Sequence, residues 1–284
     1  MNKKLKKVFS INLEPGYRNY TVRDLLNIKG KKKLSQILVS SPEEAAAAQE
    51  AKVDLILTKP SNELRIIREA ASQTFMTVAI PFIKYSSKEK IVKKALELVE
   101  VGADSIHCGS WNINFMKYLN QFKIPFQGHV GLVPRRSTWI GGVRAFGKNA
   151  SEAITLYNDI KEIEKSGAWG VEVECVPQEV LATITGKTKM LTISIGSGIK
   201  GDAQFLFAED ILGCSSIDAP RHAKMYRNFK KLNEKIQKER VNAFKEFNRD
   251  VSLEKFPEKK HSVSIDKKQL KLFRKQLDEI NNAE

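Results

Sequence analysis

The stretch GVEVECVP, residues 170–177, decides the fold of this chain. Two valines and a cysteine alternate in it with Glu172 and Glu174, which is the period-2 pattern of a strand with one apolar and one acidic face. Helical patterns flank the stretch on both sides, and strands in such alternation are usually covered by helices. The two carboxylates should therefore face a barrel interior or a cleft, where each needs a partner or a chemical role. A plain surface strand is the alternative interpretation.

The same alternation of strand and helix patterns runs along most of the chain. Seven apolar segments of strand length are each followed by a helix or a turn, and 205–213 adds a candidate eighth. The seven are QILVS (36–40), VDLILT (53–58), TFMTVAIPF (74–82), SIHC (105–108), IPFQGHVG (124–131), GVEVECV (170–176) and KMLTISIG (189–196). This count favours an α/β fold of the (β/α)8 TIM barrel type over an open doubly wound sheet.

Length and composition set the domain prediction. The chain has 284 residues, 42% of them hydrophobic, which is enough for one large core. We predict a basic N-terminal arm over 1–33, the barrel domain over 34–251 and a C-terminal tail over 252–284 that contains a short helix. The apolar stripe of this helix, 267–281, would pack on a neighbouring subunit or on its own barrel.

The charge and the cysteines exclude several classes of protein. The net charge of +15 is concentrated near the two ends, without aromatic-interleaved basic strands or zinc-finger patterns, which argues against a nucleic-acid partner. The sequence has no apolar stretch of membrane-spanning length and no apolar signal segment after its basic start, so we expect a cytoplasmic protein without a membrane partner. Three widely spaced cysteines argue against a disulfide framework.

In a (β/α)8 barrel, chemistry lies at the carboxyl ends of the strands. The strand ends of this chain carry Lys59, Ser61, His107, His129, Glu172, Glu174, Ser194 and Ser197. A lone barrel histidine is more often a hydrogen-bonded core residue, but two histidines and two glutamates in one mouth indicate a functional site. The glycine-rich loop at 196–201, with Ser197 and Gly198, either holds an anionic group or only reverses the chain.

Several motifs resemble those of the ketopantoate hydroxymethyltransferase family. The specific ones are GHVGLVP (128–134), IGGVRAFGK (140–148), GVEVECVP (170–177) and SIGSGIKGDAQFLFAEDILG (194–213). Weaker matches are VDLILTKPS (53–61), GADSIHCGS (102–110), PRHAKMYRNF (220–229) and FPEKKHS (256–262). The resemblance therefore covers roughly residues 20 to 262.

The resemblance implies a fold, an activity and roles for individual residues. It implies a barrel of the phosphoenolpyruvate/isocitrate lyase superfamily type that assembles as a homo-oligomer. The family transfers a one-carbon unit from methylenetetrahydrofolate to 2-oxoisovalerate in pantothenate biosynthesis. By the same resemblance, Glu174 in ECVP is the catalytic base, and His129 and Ser61 are substrate contacts.

The chain departs from the family pattern where the family binds magnesium. Two aspartates and a glutamate hold the ion in the family, and the matching positions here are Pro60, Ala79 and Gly109. His107 stands in place of a family lysine, and Glu172 is an acidic residue where the family pattern is apolar. The sequence therefore argues against magnesium at the family position.

The absence of the family's magnesium ligands leaves one part of the mechanism open, namely which group stabilises the developing oxyanion. Enolate formation needs a base, for which we expect Glu174, and positive charge or donors at the developing oxyanion. The charge could come from Lys59, from a protonated His107, or from a metal relocated to His107, His129, Glu172 and Glu174. Such a site would suit zinc, manganese or iron better than magnesium.

We expect a diverged hydroxymethyltransferase-like enzyme acting on a small 2-oxo or carboxylic acid, with methylenetetrahydrofolate as its co-substrate. A metal-independent lyase or another C–C bond enzyme on the same barrel is the first alternative. A catalytically silent oligomer subunit or a small-acid binding protein is the second.

Overall fold

The computed structural model describes residues 5–108, 112–214 and 220–282, with the backbone alone at Ile83. Its strands are β1 (Lys6–Phe9), β2 (Pro15–Arg18), β3 (Leu34–Leu38), β4 (Leu55–Thr58), β5 (Phe75–Ile80), β6 (Ser105–Cys108), β7 (Phe126–Gly131), β8 (Gly170–Glu174), β9 (Leu191–Ile195) and β10 (Ala203–Phe207). Strands β1 and β2 form an antiparallel pair, and the other eight close a parallel barrel in the order β10-β3-β4-β5-β6-β7-β8-β9. The prediction of a (β/α)8 TIM barrel is confirmed.

Helices separate most of the barrel strands. They are α1 (Val22–Ile28), α2 (Pro42–Glu50), α3 (Leu64–Ala70), α4 (Lys88–Glu100), α5 (Ile113–Gln121), α6 (Ser137–Ile140), α7 (Ala150–Lys165), α8 (Gln178–Thr185), α9 (Ala208–Leu212), α10 (Phe229–Ser252) and α11 (Lys267–Asn281). Short 3-10 turns occupy Phe82–Lys84, Pro134–Arg136 and Lys259–His261. The side chains of Ser41, Ser87, Asn112 and Asn149 cap the helices that follow them, because each accepts a first-turn N–H.

The barrel wall separates two cores, as period-2 strands require. One set of side chains packs under the helices and includes Ile56, Met76, Val78, Ile106, Val171 and Val173. The alternate set fills the interior with apolar groups on the β9, β10, β3 and β4 side, among them Leu34, Leu38, Leu55, Leu57, Leu191, Ile193 and Phe205. On β6, β7 and β8 the buried residues at the alternate positions are polar: Ser105, His107, Gln127, His129 and Glu172. The interior is thus mainly apolar on one side, where Gln36 on β3 is a buried polar exception, and polar on the other.

The segment predicted as a basic N-terminal arm belongs to the barrel unit. Tyr20 and Leu25 are buried in the interior apolar cluster. Basic side chains of the segment pair with acids that precede barrel strands: Arg18 with Asp104 at 2.7 Å, Lys29 with Asp202 at 2.6 Å, and Lys32 with Asp54 at 2.6 Å. These contacts tie the segment to the amino-terminal face of the barrel.

The chain divides into two compact units, Met1–Asn228 and Phe229–Glu284. The sequence had placed a boundary at residue 251, whereas the second unit begins with α10. Neither α10 nor α11 buries a side chain, and both expose apolar residues, including Leu232, Ile236, Phe244, Phe247, Phe273, Leu277 and Ile280. Within the described ranges, no helix has the length and apolar character needed to cross a membrane.

Candidate active site

Three neighbouring strands bring two histidines and two glutamates together. His107 lies on β6, His129 on β7, and Glu172 and Glu174 on β8. In the parallel register His129 pairs with Glu172, and Gly131 with Glu174. His107 contacts Glu172 although β7 lies between their strands, so the contact runs through the barrel interior.

The four side chains form a continuous cluster. His107 Nε2 lies 2.9 Å from Glu172 Oε2, and His129 Nε2 lies 3.6 Å from Glu172 Oε1. The same His129 nitrogen lies 2.9 Å from Glu174 Oε2. The two imidazole ring centres are 5.6 Å apart. Each histidine therefore faces a carboxylate, and His129 stands between the two glutamates.

Burial makes the electrostatics of this cluster strong. His107 and His129 are 6% exposed and Glu172 is 4% exposed, whereas Glu174 is only partly buried. Burial alone would lower the pKa of His129, but the charges of Glu172 and Glu174 and the hydrogen bond to Glu174 outweigh it and raise the pKa. Burial likewise favours the neutral form of Glu172, yet the neighbouring rings of His129 and His107 lower its pKa overall. The contact of His129 with Glu172 is thus favoured as a pair of opposite charges.

Several buried polar atoms of the interior have no hydrogen-bond partner among the described residues. His107 Nε2 and Glu172 Oε2 are in ion-pair contact at 2.9 Å but have no hydrogen-bond partner among the described residues, and neither has His107 Nδ1. The side-chain amides of Gln36 and Gln127 are also unsatisfied. Each such group costs about 1–3 kcal/mol when it is left without a partner. So many costly groups in one interior indicate a binding site for a polar ligand or an ion.

The end of β8 is held at the rim by backbone contacts. Leu132 N–H donates to the carbonyl oxygen of Glu174 at 2.9 Å, and Cys175 N–H donates to that of Ile195 at 2.9 Å. Cys175 has a φ of 50°, so the chain turns sharply directly after Glu174. Gly131, with a φ of 85°, packs so closely on the Glu174 carbonyl that a side chain there would overlap it. Glu174 therefore has a fixed position at the mouth.

A cavity of about 930 Å³ opens beside this rim, over the loops that follow β7, β8 and β9. It is lined by Cys175, by both residues predicted to bind an anion, Ser197 and Gly198, and by four basic or titratable side chains: Arg144, Lys148, Arg221 and His222. The positive charges of Lys148 and Arg221 would attract an acid, whereas Arg144 is already paired with Glu152 at 2.7 Å. The cavity thus lies next to the end of β8, with Cys175, the residue after Glu174, in its lining.

The glycine-rich loop is tied down by its own hydrogen bonds. Ser197 Oγ donates to Val173 O at 2.8 Å and accepts from Val176 N–H at 2.9 Å. Ser194 Oγ donates to Gly198 O at 2.8 Å. A side chain at Gly198 would overlap Gln178. The hydroxyl of Ser197 therefore fixes the loop, and an anion-binding role for this loop stays a prediction.

Among the described residues, Lys59 and Ser61 do not bond to the four-residue cluster. Both are exposed in the segment after β4. In the described part of the chain, no hydrogen bond or ion pair joins either side chain to His107, His129 or a glutamate of β8. Their predicted substrate contacts stay predictions.

The positions predicted to match the family's magnesium ligands carry no oxygen ligand at the two that the structure describes. Pro60 is exposed after β4 and Ala79 lies at the end of β5, and neither side chain offers an oxygen. Gly109, the third position, lies outside the described residues. By contrast, His107, His129 and Glu172 could hold a metal among themselves, because one ligand atom from each lies within 4.8 Å of the others.

Sequence reasoning did not single out several residues of the site. Gln127 alternates with His129 along IPFQGHVG, so the period-2 rule could have placed it in the interior. Gln36 could have been found in the same way on β3. The basic side chains of the cavity lie on loops, where no periodicity predicts their direction.

A (β/α)8 barrel with a buried histidine and carboxylate cluster defines the class of barrel enzymes whose chemistry takes place at the carboxyl ends of the strands. The comparisons with known proteins identify the group within that class. The model of the ketopantoate hydroxymethyltransferase family matches residues 36–259, and the chain belongs to this family. It is therefore a member of a transferase family, and this membership agrees with the predicted superfamily type.

Individual relatives cover most of the chain. The 3-methyl-2-oxobutanoate hydroxymethyltransferase of Kosmotoga olearia is 32% identical over 83% of this chain and 94% of its own length. That of Pyrococcus furiosus is 31% identical over 86% of this chain and 92% of its own. Among solved structures, the multifunctional pyruvate carboxylase from Rhizobium etli matches 72% of this chain and 28% of its own, with a TM-score of 0.50 and 10% identity. This last likeness concerns the fold alone.

Proposed function

We propose that the protein transfers a hydroxymethyl group to 3-methyl-2-oxobutanoate or a closely similar 2-oxo acid, with methylenetetrahydrofolate as the one-carbon donor. The observation that carries the proposal is the position of Glu174, a partly exposed carboxylate at the end of β8, in contact with His129 at 2.9 Å. The family membership and the names of the relatives support the substrate and the reaction.

Glu174 is the base in this proposal. It takes the C–H proton next to the keto group. Water hydrolyses the methylene bridge of the donor, so that both C–N bonds break and tetrahydrofolate leaves a carbon at the oxidation level of formaldehyde. The enolate carbon attacks this carbon, and the proton held by Glu174 goes to the alkoxide that forms. A base has to be fixed within reach of the proton it removes. The hydrogen bonds at the end of β8 and the close packing of Gly131 provide this fixed position.

The enolate oxygen needs positive charge or a donor nearby. The imidazole groups of His107 and His129 are the groups that β6 and β7 bring next to the two glutamates. No step here is assigned to magnesium, because Pro60 and Ala79 offer it no ligand. The oxyanion is thus placed on the β6 and β7 side of Glu174.

The carboxylate of the substrate and the acidic tail of the donor are both anionic. The cavity beside the rim carries Arg144, Lys148 and Arg221, which supports binding of such groups next to the cluster. Ser61 and Lys59 are assigned to the substrate through the family pattern, and contact with a bound acid is the expectation for them.

The test uses Glu174→Gln, which keeps the shape of the side chain but removes the proton acceptor. Turnover of 3-methyl-2-oxobutanoate with methylenetetrahydrofolate is expected to fall by about 10²-fold or more. Glu162→Gln, at an exposed site of α7, is the matched control and should keep the parent rate. Parent-like turnover in Glu174→Gln would remove Glu174 from its assigned role.

A lyase or another C–C bond reaction is the second candidate. The observation that favours it is the replacement of the magnesium-binding carboxylates by Pro60 and Ala79 while Glu174 is kept. Product analysis separates the candidates, since a lyase would cleave a substituted 2-oxo acid in the absence of the folate donor.

Cytoplasmic location and a homo-oligomeric state complete the proposal. The family resemblance and the exposed apolar side chains of α10 and α11 support self-association. Light scattering of the purified chain tests it, and a monomer at micromolar concentration would contradict it.

A further inference from the structure

We propose that His107, His129 and Glu172 form a binding site for a divalent transition-metal ion of the zinc type. One ligand atom from each residue lies within 4.8 Å of the others. The three residues come from the neighbouring strands β6, β7 and β8, whose hydrogen-bonded register fixes their spacing. The site is distinct from the family's magnesium position, because none of the three matches a magnesium ligand of the family.

The distances suit ligands of one ion. Nitrogen and oxygen ligands at about 2.0–2.1 Å from a tetrahedral ion lie about 3.3 Å from each other. His107 Nε2 and Glu172 Oε2 are 2.9 Å apart, and His129 Nε2 and Glu172 Oε1 are 3.6 Å apart. The two contacts use different oxygens of Glu172, and ligand atoms as far apart as 4.8 Å would have to approach by up to about 1.5 Å to reach the spacing of a tetrahedral site.

The unsatisfied atoms of the cluster are an independent observation. His107 Nδ1 and Nε2 and Glu172 Oε2 are buried without a hydrogen-bond partner among the described residues. Gln127, the register partner of His107, adds an unpartnered amide to the same side of the interior. Metal-bound histidines usually donate their second ring N–H to an oxygen such as that of an amide. An ion between His107 Nε2 and Glu172 Oε2 would therefore give these two atoms a common partner and leave His107 Nδ1 as the ring nitrogen that donates its N–H.

The ligand set selects the kind of ion. Imidazole nitrogen combined with one carboxylate suits zinc, iron, cobalt or nickel, whereas magnesium and calcium prefer oxygen alone. Two histidines and one carboxylate also leave coordination positions open. Glu174 contacts His129 from the side of the mouth, so an acid bound at an open position would meet Glu174. This last step alone rests on the proposed function.

The experiment measures metal binding by the full chain after dialysis against a chelator. Titration with Co²⁺, followed by the visible absorption of the bound ion, is expected to saturate at one ion per chain. Zn²⁺ should displace the Co²⁺, and a large excess of Mg²⁺ should not. His107→Ala and Glu172→Gln should each lower the Co²⁺ affinity by about 100-fold or more. His261→Ala, a histidine substitution in the second compact unit, is the matched control and should leave the affinity unchanged.

Two results would overturn the proposal. One is the lack of saturable Co²⁺ binding by the parent protein, and the other is parent-like affinity in both ligand variants. Should circular dichroism find the variants unfolded, X-ray absorption of the parent protein with Co²⁺ decides, because two imidazole ligands are expected and an all-oxygen shell contradicts the site. None of these measurements involves turnover, so failure of the proposed function would not affect them.

Discussion

The substitution Gly131→Ala tests how rigidly the fold positions Glu174. Gly131 ends β7 with a φ of 85°, a backbone conformation that side chains with a Cβ rarely adopt. A methyl group there would overlap the carbonyl oxygen of Glu174 and come within 2.9 Å of Val176 Cγ2. Because a carbonyl in a barrel strand cannot rotate away, the end of β8 has to move.

The two costs can be estimated separately. The left-handed backbone costs a residue with a side chain about 1–2 kcal/mol. Inserting a methyl group into a packed site costs about 1–3 kcal/mol more. Gly141 has a nearly equal φ of 82°, but the nearest atom to a Cβ there is Arg144 Nε at 3.9 Å. Gly141→Ala should therefore cost only the first amount, and Gly131→Ala about 2–5 kcal/mol.

Urea unfolding followed by tryptophan fluorescence measures the difference, since buried Trp169 reports on the barrel unit. Turnover should fall in Gly131→Ala as well, because a displacement of about 1 Å at a catalytic group can cost about 10²-fold. If the unfolding free energies of the two variants agree within about 0.5 kcal/mol, the packing of Gly131 on Glu174 has been overestimated.

Two further predictions concern stability. Ser105→Ala removes the acceptor of the buried Trp169 indole N–H, at 2.7 Å, and should cost about 1–3 kcal/mol in urea unfolding, whereas an unchanged midpoint would contradict this hydrogen bond. Burial raises the pKa of Asp54, but hydrogen bonds from Lys32 and Tyr20 outweigh it, so the folded-state pKa lies below the unfolded value. Asp54 therefore contributes stability above the unfolded pKa of about 3.9, and this contribution is lost as the pH falls through the folded pKa. Unfolding of Asp54→Asn and the parent from about pH 7 to about pH 3 should show a deficit that shrinks toward acid pH, and a deficit independent of pH would refute the assignment.

The barrel could be predicted because its strands are buried on both faces and end at clear turn signals. The eighth strand was the uncertain one, since FLFAEDILG continues from a strand, Ala203–Phe207, into the short helix α9 without a break. The N-terminal segment could not be placed from its composition. Its lysines and arginines look like a solvated arm, but three of them pair with Asp54, Asp104 and Asp202, and only the fold brings those acids together.

The sequence predicts which residues form the cluster, but it does not predict the contacts between them. Period-2 alternation placed Glu172 and Glu174 on one face of a strand, and parallel strands bring their carboxyl ends to one mouth. The sequence contains no signal for which histidine contacts which glutamate, because this depends on the barrel register. Ser197 illustrates the same limit, since its hydroxyl bonds two backbone groups that are distant in sequence.

Compared with the predicted family pattern, the acidic residues of this chain lie at the ends of different barrel strands. By the predicted match to the family, its magnesium carboxylates would lie at the ends of β4, β5 and β6, where this chain has Pro60 just after β4 and Ala79 on β5, and it has Glu172 on β8. The side chain that pairs with the Glu174 carboxylate is therefore on the neighbouring strand β7. It is His129, whose Nε2 lies 2.9 Å from Glu174 Oε2. Since Glu174 Oε2 is occupied by this contact, a proton must go to Oε1, or the substrate must displace the imidazole. Glu172 lies buried in contact with both histidines, so under the proposed function the reacting C–H would approach Glu174 from the mouth in either case.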